Sequence, residues 1–209
     1  MVDKPLDNSL DNSVDKGVNN PVCNLLDVGT GSGCIALSLA ADIHPSFITA
    51  VDLSTEVLTT AKENAKSLDI NNVRFVQADI LQEETADFST ELSTLPDPLS
   101  GTPIPALYDA IVSNPPYICQ REAVDMSANV LEHEPHLALF VPDDDPLLFY
   151  RAIARYALRH LRRGGYLCFE INAAYGPETC DLLSRLGFGE VSLRRDMQDR
   201  PRMVFARRP

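Results

Sequence analysis

The sequence has no tryptophan, no C-x-x-C pair of cysteines and no apolar run long enough to span a bilayer. Its first twenty residues are acidic and polar, without the apolar segment that a signal peptide needs. The five cysteines, an odd number, favour a reduced protein over a disulfide-bonded one. These absences argue against a secreted or membrane protein, so we expect a cytoplasmic location.

An overall positive charge is also missing, because the formal net charge is −12. Residues 1–150 contain 6 Lys and Arg against 24 Asp and Glu, whereas residues 151–209 contain 12 Arg and no Lys against 6 acidic residues. Proteins that grip nucleic acid over a broad surface are usually basic. The composition therefore counts against stable nucleic-acid binding. The arginine-rich part keeps that alternative open, although a solvated helix face explains most of these arginines equally well.

The length of 209 residues suits one domain with a substantial core. Residues 1–20 are rich in Asp and Asn and lack a usable period, which predicts a disordered tail or residual linker before a domain at 21–209. Residues 82–106 are typical of a long surface loop. We predict strands at 22–28, 47–51, 73–76, 108–112, 166–171, 191–193 and 203–206, and helices at 34–41, 54–68, 146–161 and 177–186.

Alternation of strands and helices predicts an α/β fold with a doubly wound, mostly parallel, seven-stranded sheet. The last two predicted strands are joined by a short connection, which adds one antiparallel strand near the C-terminus. Open sheets of this kind bind ligands at the carboxyl ends of their strands. The residues that follow each strand are therefore the candidates for a functional site.

The first strand runs into Gly29-Thr30-Gly31-Ser32-Gly33, and a helical segment follows. Strand, glycine loop and helix open many nucleotide-binding units. A dinucleotide fingerprint would need a third glycine at position 34, which is Cys34. Asp27, just before the loop, can attract a cationic group but would repel a pyrophosphate. The loop therefore favours a ligand that carries positive charge.

Two further acids follow predicted strands. Asp52 lies 23 residues after Gly29, about where nucleotide-binding folds place a carboxylate on ribose hydroxyls. Asp52 can instead cap the next helix, because Leu53 and Ser54 follow it. Asp79 can accept a hydrogen bond from an adenine amino group, or it can cap its own loop.

The segment Asn114-Pro115-Pro116-Tyr117 follows the buried run 108–112 directly. The two prolines stiffen the chain, and the Asn114 amide beside the Pro115 carbonyl makes a pair of acceptors. Such a pair suits a primary amide or an exocyclic amine, each of which presents two N–H bonds from one nitrogen. Tyr117 would add an apolar wall. On these four residues alone, a purely structural Pro-Pro loop explains the pattern equally well.

These motifs, in this order along residues 22–208, resemble the class I S-adenosylmethionine-dependent methyltransferases. More narrowly, the chain is similar to the HemK-type glutamine-N5 methyltransferases, which modify peptide-chain release factors. The residues that carry the likeness are Asp27-Val28-Gly29-Thr30-Gly31-Ser32-Gly33, Asp52, Asp79, Asn114-Pro115-Pro116-Tyr117, Glu134-Pro135 and Glu170-Ile171.

The resemblance implies a role for each motif. Asp27 would lie near the amino group of S-adenosyl-L-methionine, Asp52 at its ribose and Asp79 at its adenine. All the residues expected to bind the cofactor are Asp27, Gly29, Thr30, Gly31, Gly33, Asp52, Leu53, Asp79, Ile80 and Asn114. The residues expected to bind the substrate glutamine are Asn114, Pro115, Pro116 and Tyr117, of which Asn114, Pro115 and Tyr117 would be catalytic.

The chain departs from the family pattern in three places. Residues 1–20 do not resemble the family's N-terminal helical recognition domain. The family's glycines in the stretch after Ala138-Leu139 are replaced by Val141-Pro142-Asp143-Asp144-Asp145, and Asn172 stands where a glycine commonly follows the Glu-Ile pair. These departures bear on docking of the protein substrate more than on cofactor binding.

We expect no metal, because the cluster Glu132-His133-Glu134-Pro135-His136 has no second group at ligand spacing.

We therefore expect a monomeric enzyme that acts on release factors, without membrane association or stable nucleic-acid binding. Two alternatives remain. An adenine amino group in nucleic acid also presents an NH₂ to Asn114, if the base is flipped out or single-stranded. A scaffold subunit would keep the cofactor pocket without catalysis. The acidic half of the chain around Asn114 favours glutamine over nucleic acid.

Overall fold

A computed structural model of the chain describes residues 23–43, 47–82, 107–125 and 139–209. The strands are β1 (Asn24–Val28), β2 (Phe47–Asp52), β3 (Val73–Gln77), β4 (Tyr108–Ser113), β5 (Ile118–Cys119), β6 (Phe140–Val141), β7 (Leu161–Glu170), β8 (Gly189–Arg195) and β9 (Pro201–Arg207). The helices are α1 (Cys34–Asp42), α2 (Thr55–Ser67), α3 (Leu148–His160) and α4 (Gly176–Leu186). Three short 3₁₀ segments cover Ile80–Gln82, Gln120–Asp125 and Ala173–Tyr175.

Seven strands form one sheet in the order β3-β2-β1-β4-β7-β9-β8. Neighbouring strands from β3 to β7 are parallel, and β9 runs antiparallel to both β7 and β8. The predicted α/β class and the single antiparallel strand near the C-terminus are thus confirmed. Because β9 alone is reversed, the carboxyl ends of the other six strands lie at one edge of the sheet.

Apolar layers cover both faces of the sheet. Every residue of β1 is buried, as expected for a central parallel strand. Side chains alternate along the strand, so Leu25 joins a cluster with Ala36 and Ala40 of α1, whereas Leu26 joins one with Ile153 of α3. Helices on both faces fix the sheet, and the sheet in turn fixes where its loops emerge.

The structure corrects four local predictions. The strand predicted at 166–171 begins at Leu161, because Leu161 already pairs with Tyr108. The helix predicted at 146–161 covers Leu148–His160. Leu68, the last residue of the helix predicted at 54–68, is 61% exposed because α2 ends at Ser67. The segment 118–144, in which we predict neither a strand nor a helix, contains the parallel pair β5 and β6.

Several predictions lie outside the described residues. These are the tail at 1–20, almost all of the loop at 82–106, the cluster at 132–136 and the Glu134-Pro135 motif. They stay predictions, as does the beginning of the domain at residue 21.

Gly165 occupies a crowded point in β7, where the register with β4 shifts. A Cβ atom at this position would stand 2.9 Å from the carbonyl oxygens of Arg162 and Asp109. Because both of these neighbours are backbone atoms, a Cβ would fit only if one of the strands moved. The sheet therefore requires glycine here for close approach.

We expect Gly165→Ala to lower the free energy of unfolding by about 1–3 kcal/mol, the usual cost of overpacking. Gly189→Ala is the matched control, because a Cβ there would meet its nearest neighbour, the Arg207 carbonyl, at an ordinary 3.9 Å. Urea denaturation of both variants measures the difference. Equal stability of the two variants would contradict the prediction.

Candidate active site

A cavity of about 350 Å³ opens at the carboxyl edge of the sheet, above β1, β2 and β4. In the sheet, β2 and β3 lie on one side of β1, and β4 lies on the other side. Open α/β sheets form a ligand crevice at the point where the strand order changes direction in this way. The lining residues are Val28, Gly29, Gly31, Val51, Asp52, Leu53, Ala78, Asp79, Ile80, Asn114, Pro115, Pro116, Tyr117, Ile118, Leu139, Phe149 and Ile153.

The glycine loop forms one wall of this cavity. The N–H groups of Gly29 and Thr30 both donate to the Val51 carbonyl, at 2.8 and 3.0 Å, which bends the loop over β2. Gly29 and Gly31 have positive φ angles of 72° and 56°, a region that favours glycine. A Cβ on Gly31 would meet no atom within 4 Å. Gly31 thus leaves open space in which a ligand can approach the backbone.

Asp52 links this loop to the cavity. Its carboxylate accepts from the Gly31 N–H at 2.9 Å and from the Ser54 N–H at 3.0 Å. The N-cap of α2 is Ser54, whose hydroxyl accepts from the Val57 N–H, so Asp52 is not the helix cap. A carboxylate offers about four acceptor sites, which leaves capacity for a ligand in the cavity.

Asp79 caps its own loop and also lines the cavity. Its carboxylate accepts from the Leu81 N–H at 2.9 Å and from the Gln82 side chain at 3.4 Å, so it does cap its loop. The residue also lines the cavity, together with Leu53 and Ile80. The second acid is therefore placed to contact a ligand as well.

Three of the residues expected to bind the cofactor, Asp27, Thr30 and Gly33, are not among those that line the cavity. Asp27 is fully buried, and one of its oxygens accepts from the Thr30 hydroxyl at 2.8 Å and from the Ala36 N–H at 3.1 Å. Thr30 is buried too, and a Cβ on Gly33 would press on Leu37 at 3.1 Å. The observed contacts of Asp27 and Gly33 are with α1 and α2, so these residues support the glycine loop from its helix side.

The second oxygen of Asp27, Oδ1, is buried without a hydrogen-bond partner among the described residues. Burial raises the pKa of Asp27 from its ordinary 3.8 to about 6, against the opposing hydrogen bonds from Thr30 and Ala36. A buried carboxylate with free acceptor capacity is a site where a nearby cation would be stabilised.

Asn114, Pro115, Pro116 and Tyr117 form the opposite wall. The Ser113 hydroxyl donates to the Val28 carbonyl at 2.6 Å and ties the end of β4 to the end of β1. This tie brings the two walls close, since a Cβ on Gly29 would lie 3.7 Å from the Asn114 carbonyl. The Asn114 side chain is exposed and makes no hydrogen bond to any residue that the structure describes. Among the described residues, nothing therefore occupies the Asn114 amide, and it can hydrogen-bond to a ligand in the cavity.

The hydroxyl of Tyr117 is held by an acid at the end of β7. Its hydroxyl donates to Glu170 Oε1 at 3.3 Å, and Glu170 pairs with Arg202 at 3.4 Å. Burial raises the pKa of Tyr117, and the charge of Glu170 raises it further. Tyr117 therefore presents its ring, rather than its hydroxyl, as a wall of the site.

Sequence reasoning missed the apolar part of the lining. Phe149 and Ile153 reach the cavity from α3, where apolar residues at helical spacing look the same as core residues. Leu139 enters from a segment in which we predict neither a strand nor a helix, directly before β6. The apolar pattern of these residues is present in the sequence, but it does not distinguish a residue that lines a pocket from one that packs in the core.

Within the described ranges, no group of three or more His, Cys, Asp or Glu residues is placed to hold a metal ion. In the same part of the chain, no helix has both the length and the apolar character needed to cross a membrane.

Comparison with known proteins adds to this geometry. A family model described as a methyltransferase domain matches residues 19–170, which is most of the chain. The chain belongs to this methyltransferase family.

The methyltransferase domain is similar to curated proteins of bacterial origin. It is 42% identical to the release factor glutamine methyltransferase of Flavobacterium psychrophilum, in a match that covers 86% of this chain and 56% of that protein. It is 43% identical to that of Bacteroides thetaiotaomicron, covering 88% of this chain and 60% of that protein. The chain thus spans a little over half the length of these two relatives.

Among solved structures, the methyltransferase domain resembles the N-methyltransferase NodS from Bradyrhizobium japonicum, solved with S-adenosyl-L-homocysteine. The TM-score is 0.54 at 18% identity, and the match covers 90% of this chain and 79% of that one. A likeness at this identity shows the fold alone.

The raised pKa of Asp27 predicts a pH-dependent stability. The folded protein holds the Asp27 proton more tightly than the unfolded chain does, so this stabilising contribution is complete below pH 3.8 and is lost as the pH rises through about 6. A shift of this size corresponds to about 3 kcal/mol. Asp27→Asn removes the titration and keeps an oxygen that accepts from Thr30 and Ala36.

We therefore expect the stability of the Asn variant to rise relative to the wild type between pH 4 and 7, by up to about 3 kcal/mol. Urea unfolding of both proteins at several pH values measures this difference, and the other titrating groups cancel in it. A difference that stays constant with pH would show that Asp27 has an ordinary pKa.

Proposed function

We propose that this domain transfers a methyl group from S-adenosyl-L-methionine to the side-chain amide nitrogen of a protein glutamine. The glutamine is the one in the Gly-Gly-Gln motif of a peptide-chain release factor. The observation that carries the proposal is the convergence of two walls on one cavity. The glycine loop with Asp52 and Asp79 forms one wall, and Asn114 to Tyr117 form the other.

The first wall fits the cofactor. S-adenosyl-L-methionine is a cation with an adenine, a ribose and an ammonium group, and it supplies an electrophilic methyl group on a sulfonium. Asp52 has acceptor capacity for ribose hydroxyls, and Asp79 is placed on the same side for the adenine amino group. The glycine backbone admits close contact at Gly31. The unpartnered Oδ1 of Asp27, behind the loop, adds negative potential for the ammonium group.

The second wall fits a primary amide. The Asn114 side-chain oxygen and the Pro115 carbonyl would accept the two N–H bonds of the glutamine amide, with the Tyr117 ring as a wall. An amide nitrogen is a poor nucleophile, so the contribution of these residues is orientation and electrostatics. The acceptors also stabilise the positive charge that develops on the nitrogen during attack. The nitrogen lone pair would form the new N–C bond as the methyl–sulfur bond breaks, which leaves a neutral thioether. The extra proton would then pass from the nitrogen to water.

The similarity to two release factor glutamine methyltransferases supports a release factor as the partner. The surroundings of Asn114 agree, since the Glu122 carboxylate accepts from the Cys119 N–H close to this segment and would repel the phosphates that flank an adenine. We also propose that the protein acts as a monomer in the cytoplasm, in keeping with its free cysteines.

Labelled cofactor and a release factor test the proposal directly. We expect the wild type to label the release factor, and the label to be absent from a release factor whose Gly-Gly-Gln glutamine is replaced by alanine. Asn114→Ala should lower turnover about 100-fold or more, the usual effect of losing a positioning or oxyanion-type contact. Calorimetry should show that this variant largely keeps its affinity for S-adenosyl-L-methionine, because the other residues expected to bind the cofactor, among them Asp52 and Asp79, are unchanged.

Asn71→Ala is the matched control, since Asn71 is also exposed and lies before β3, at the opposite edge of the sheet. Single-stranded nucleic acid serves as a competing substrate. Label in the nucleic acid alone would overturn the proposal in favour of an adenine acceptor. Cofactor binding without transfer to any component of a cell extract would favour a scaffold.

A further inference from the structure

The backbone and the hydroxyl of Tyr117 are both held from outside the cavity. The Tyr117 carbonyl accepts from the Asn172 side chain at 3.1 Å, and the hydroxyl donates to Glu170 at 3.3 Å. Asn172 and Glu170 both lie at the carboxyl end of β7, next to β4 in the sheet. Tyr117 is therefore fixed at two points by one neighbouring segment.

Asn172 uses almost all of its hydrogen-bonding capacity in this position. Besides Tyr117, its Nδ2 donates to the Glu122 carboxylate, at 3.1 Å to Oε2 and 3.4 Å to Oε1. Its Oδ1 accepts from the Ala174 N–H at 3.0 Å, and its own N–H donates to the Tyr150 hydroxyl at 3.2 Å. Such a fully bonded amide can adopt few other orientations.

Glu122 carries the connection onward. Its Oε2 accepts from the Cys119 N–H at 2.7 Å, directly at the end of β5. Together, Asn172 and Glu122 hold the chain at Tyr117 and again at Cys119. These are the residues that immediately follow Asn114 to Pro116, the segment that would orient the acceptor.

We propose that Asn172 is a positioning residue of the acceptor side of the site. It acts through Tyr117 and Glu122, and it touches neither the cofactor nor the acceptor. This inference rests on the proposed function, in which Asn114 and the Pro115 carbonyl orient an amide. A displacement of about 1 Å in such an orientation can cost about 100-fold in rate.

A simpler role for Asn172 has to be separated from this one. Its Oδ1 also caps the 3₁₀ segment at Ala173–Tyr175, and Asp is as good a cap as Asn. Asn172→Asp keeps the cap but loses both Nδ2 hydrogen bonds, and it places a second carboxylate beside Glu122. The substitution therefore breaks the link to Tyr117 and Glu122 and leaves the cap intact.

Steady-state kinetics on a release factor provide the test, with cofactor affinity measured separately by calorimetry. We expect Asn172→Asp to lower kcat about 10- to 100-fold through misplacement of the acceptor loop. The cofactor dissociation constant should not change. Adding Glu122→Gln should restore part of kcat, because a Gln amide can donate to Asp at 172 while its oxygen accepts from the Cys119 N–H.

Arg207→Ala is the matched control. It breaks hydrogen bonds to the Gly164 carbonyl and to Glu190 at the opposite edge of the same sheet. We expect this variant to keep the wild-type kcat. Wild-type kcat in Asn172→Asp, or equal losses of kcat and of cofactor affinity, would overturn the positioning role.

Hydrogen exchange at the Cys119 amide gives an outcome that does not depend on the substrate. We expect faster exchange in Asn172→Asp, a partial return with Glu122→Gln added, and no change in Arg207→Ala. If the wild type fails to methylate a release factor, the proposed function fails, and the exchange data still test the link. Unchanged exchange in Asn172→Asp would refute it.

Discussion

The parallel pairing of β1 with β4 is the constraint on which the site depends. It aligns Val28 with Ser113, and the Ser113 hydroxyl donates to the Val28 carbonyl at 2.6 Å. The loops that follow these two residues then emerge side by side, with a glycine where the Asn114 carbonyl approaches. In the proposed function, the glycine loop offers its backbone to the cofactor beside Asp52 and Asp79, which follow β2 and β3, and the loop at Asn114 offers acceptors to the substrate amide. A methyl transfer between two ligands needs this adjacency more than it needs any single strong acid or base.

The polar groups at this edge differ in how they are supported. Asp52 and Asp79 keep contact with the cavity while their carboxylates accept backbone N–H groups. Asp27 is buried behind the loop, and the desolvation of its carboxylate raises its pKa. On the acceptor side, Asn114 is exposed and unbonded among the described residues, whereas Tyr117 is held by Asn172 and Glu170. The Asn114 side chain thus projects from a backbone segment that is held in place at Tyr117. Orientation of a weak nucleophile requires such a fixed position.

The sequence predicts much of this because local patterns determine it. Apolar runs that end in glycine, acid or Asn-Pro-Pro identify the strands, and parallel order places their ends together. It does not predict the direction of the Asp27 side chain, since burial of a strand-end acid depends on the packing of α1. Nor does it predict the bonds of Asn172, because Tyr117 lies 55 residues away in the chain. Phe149 was missed for a third reason, since a pocket residue and a core residue have the same helical spacing.

A crystal structure of the protein with S-adenosyl-L-homocysteine and a release-factor peptide containing the Gly-Gly-Gln sequence tests the central claim most directly. We predict that the nucleoside occupies the side of the cavity lined by Asp52 and Asp79. The glutamine amide should lie between the Asn114 side-chain oxygen and the Pro115 carbonyl, with its nitrogen facing the homocysteine sulfur. A nucleoside bound outside this cavity, or a glutamine bound away from Asn114, would contradict the account.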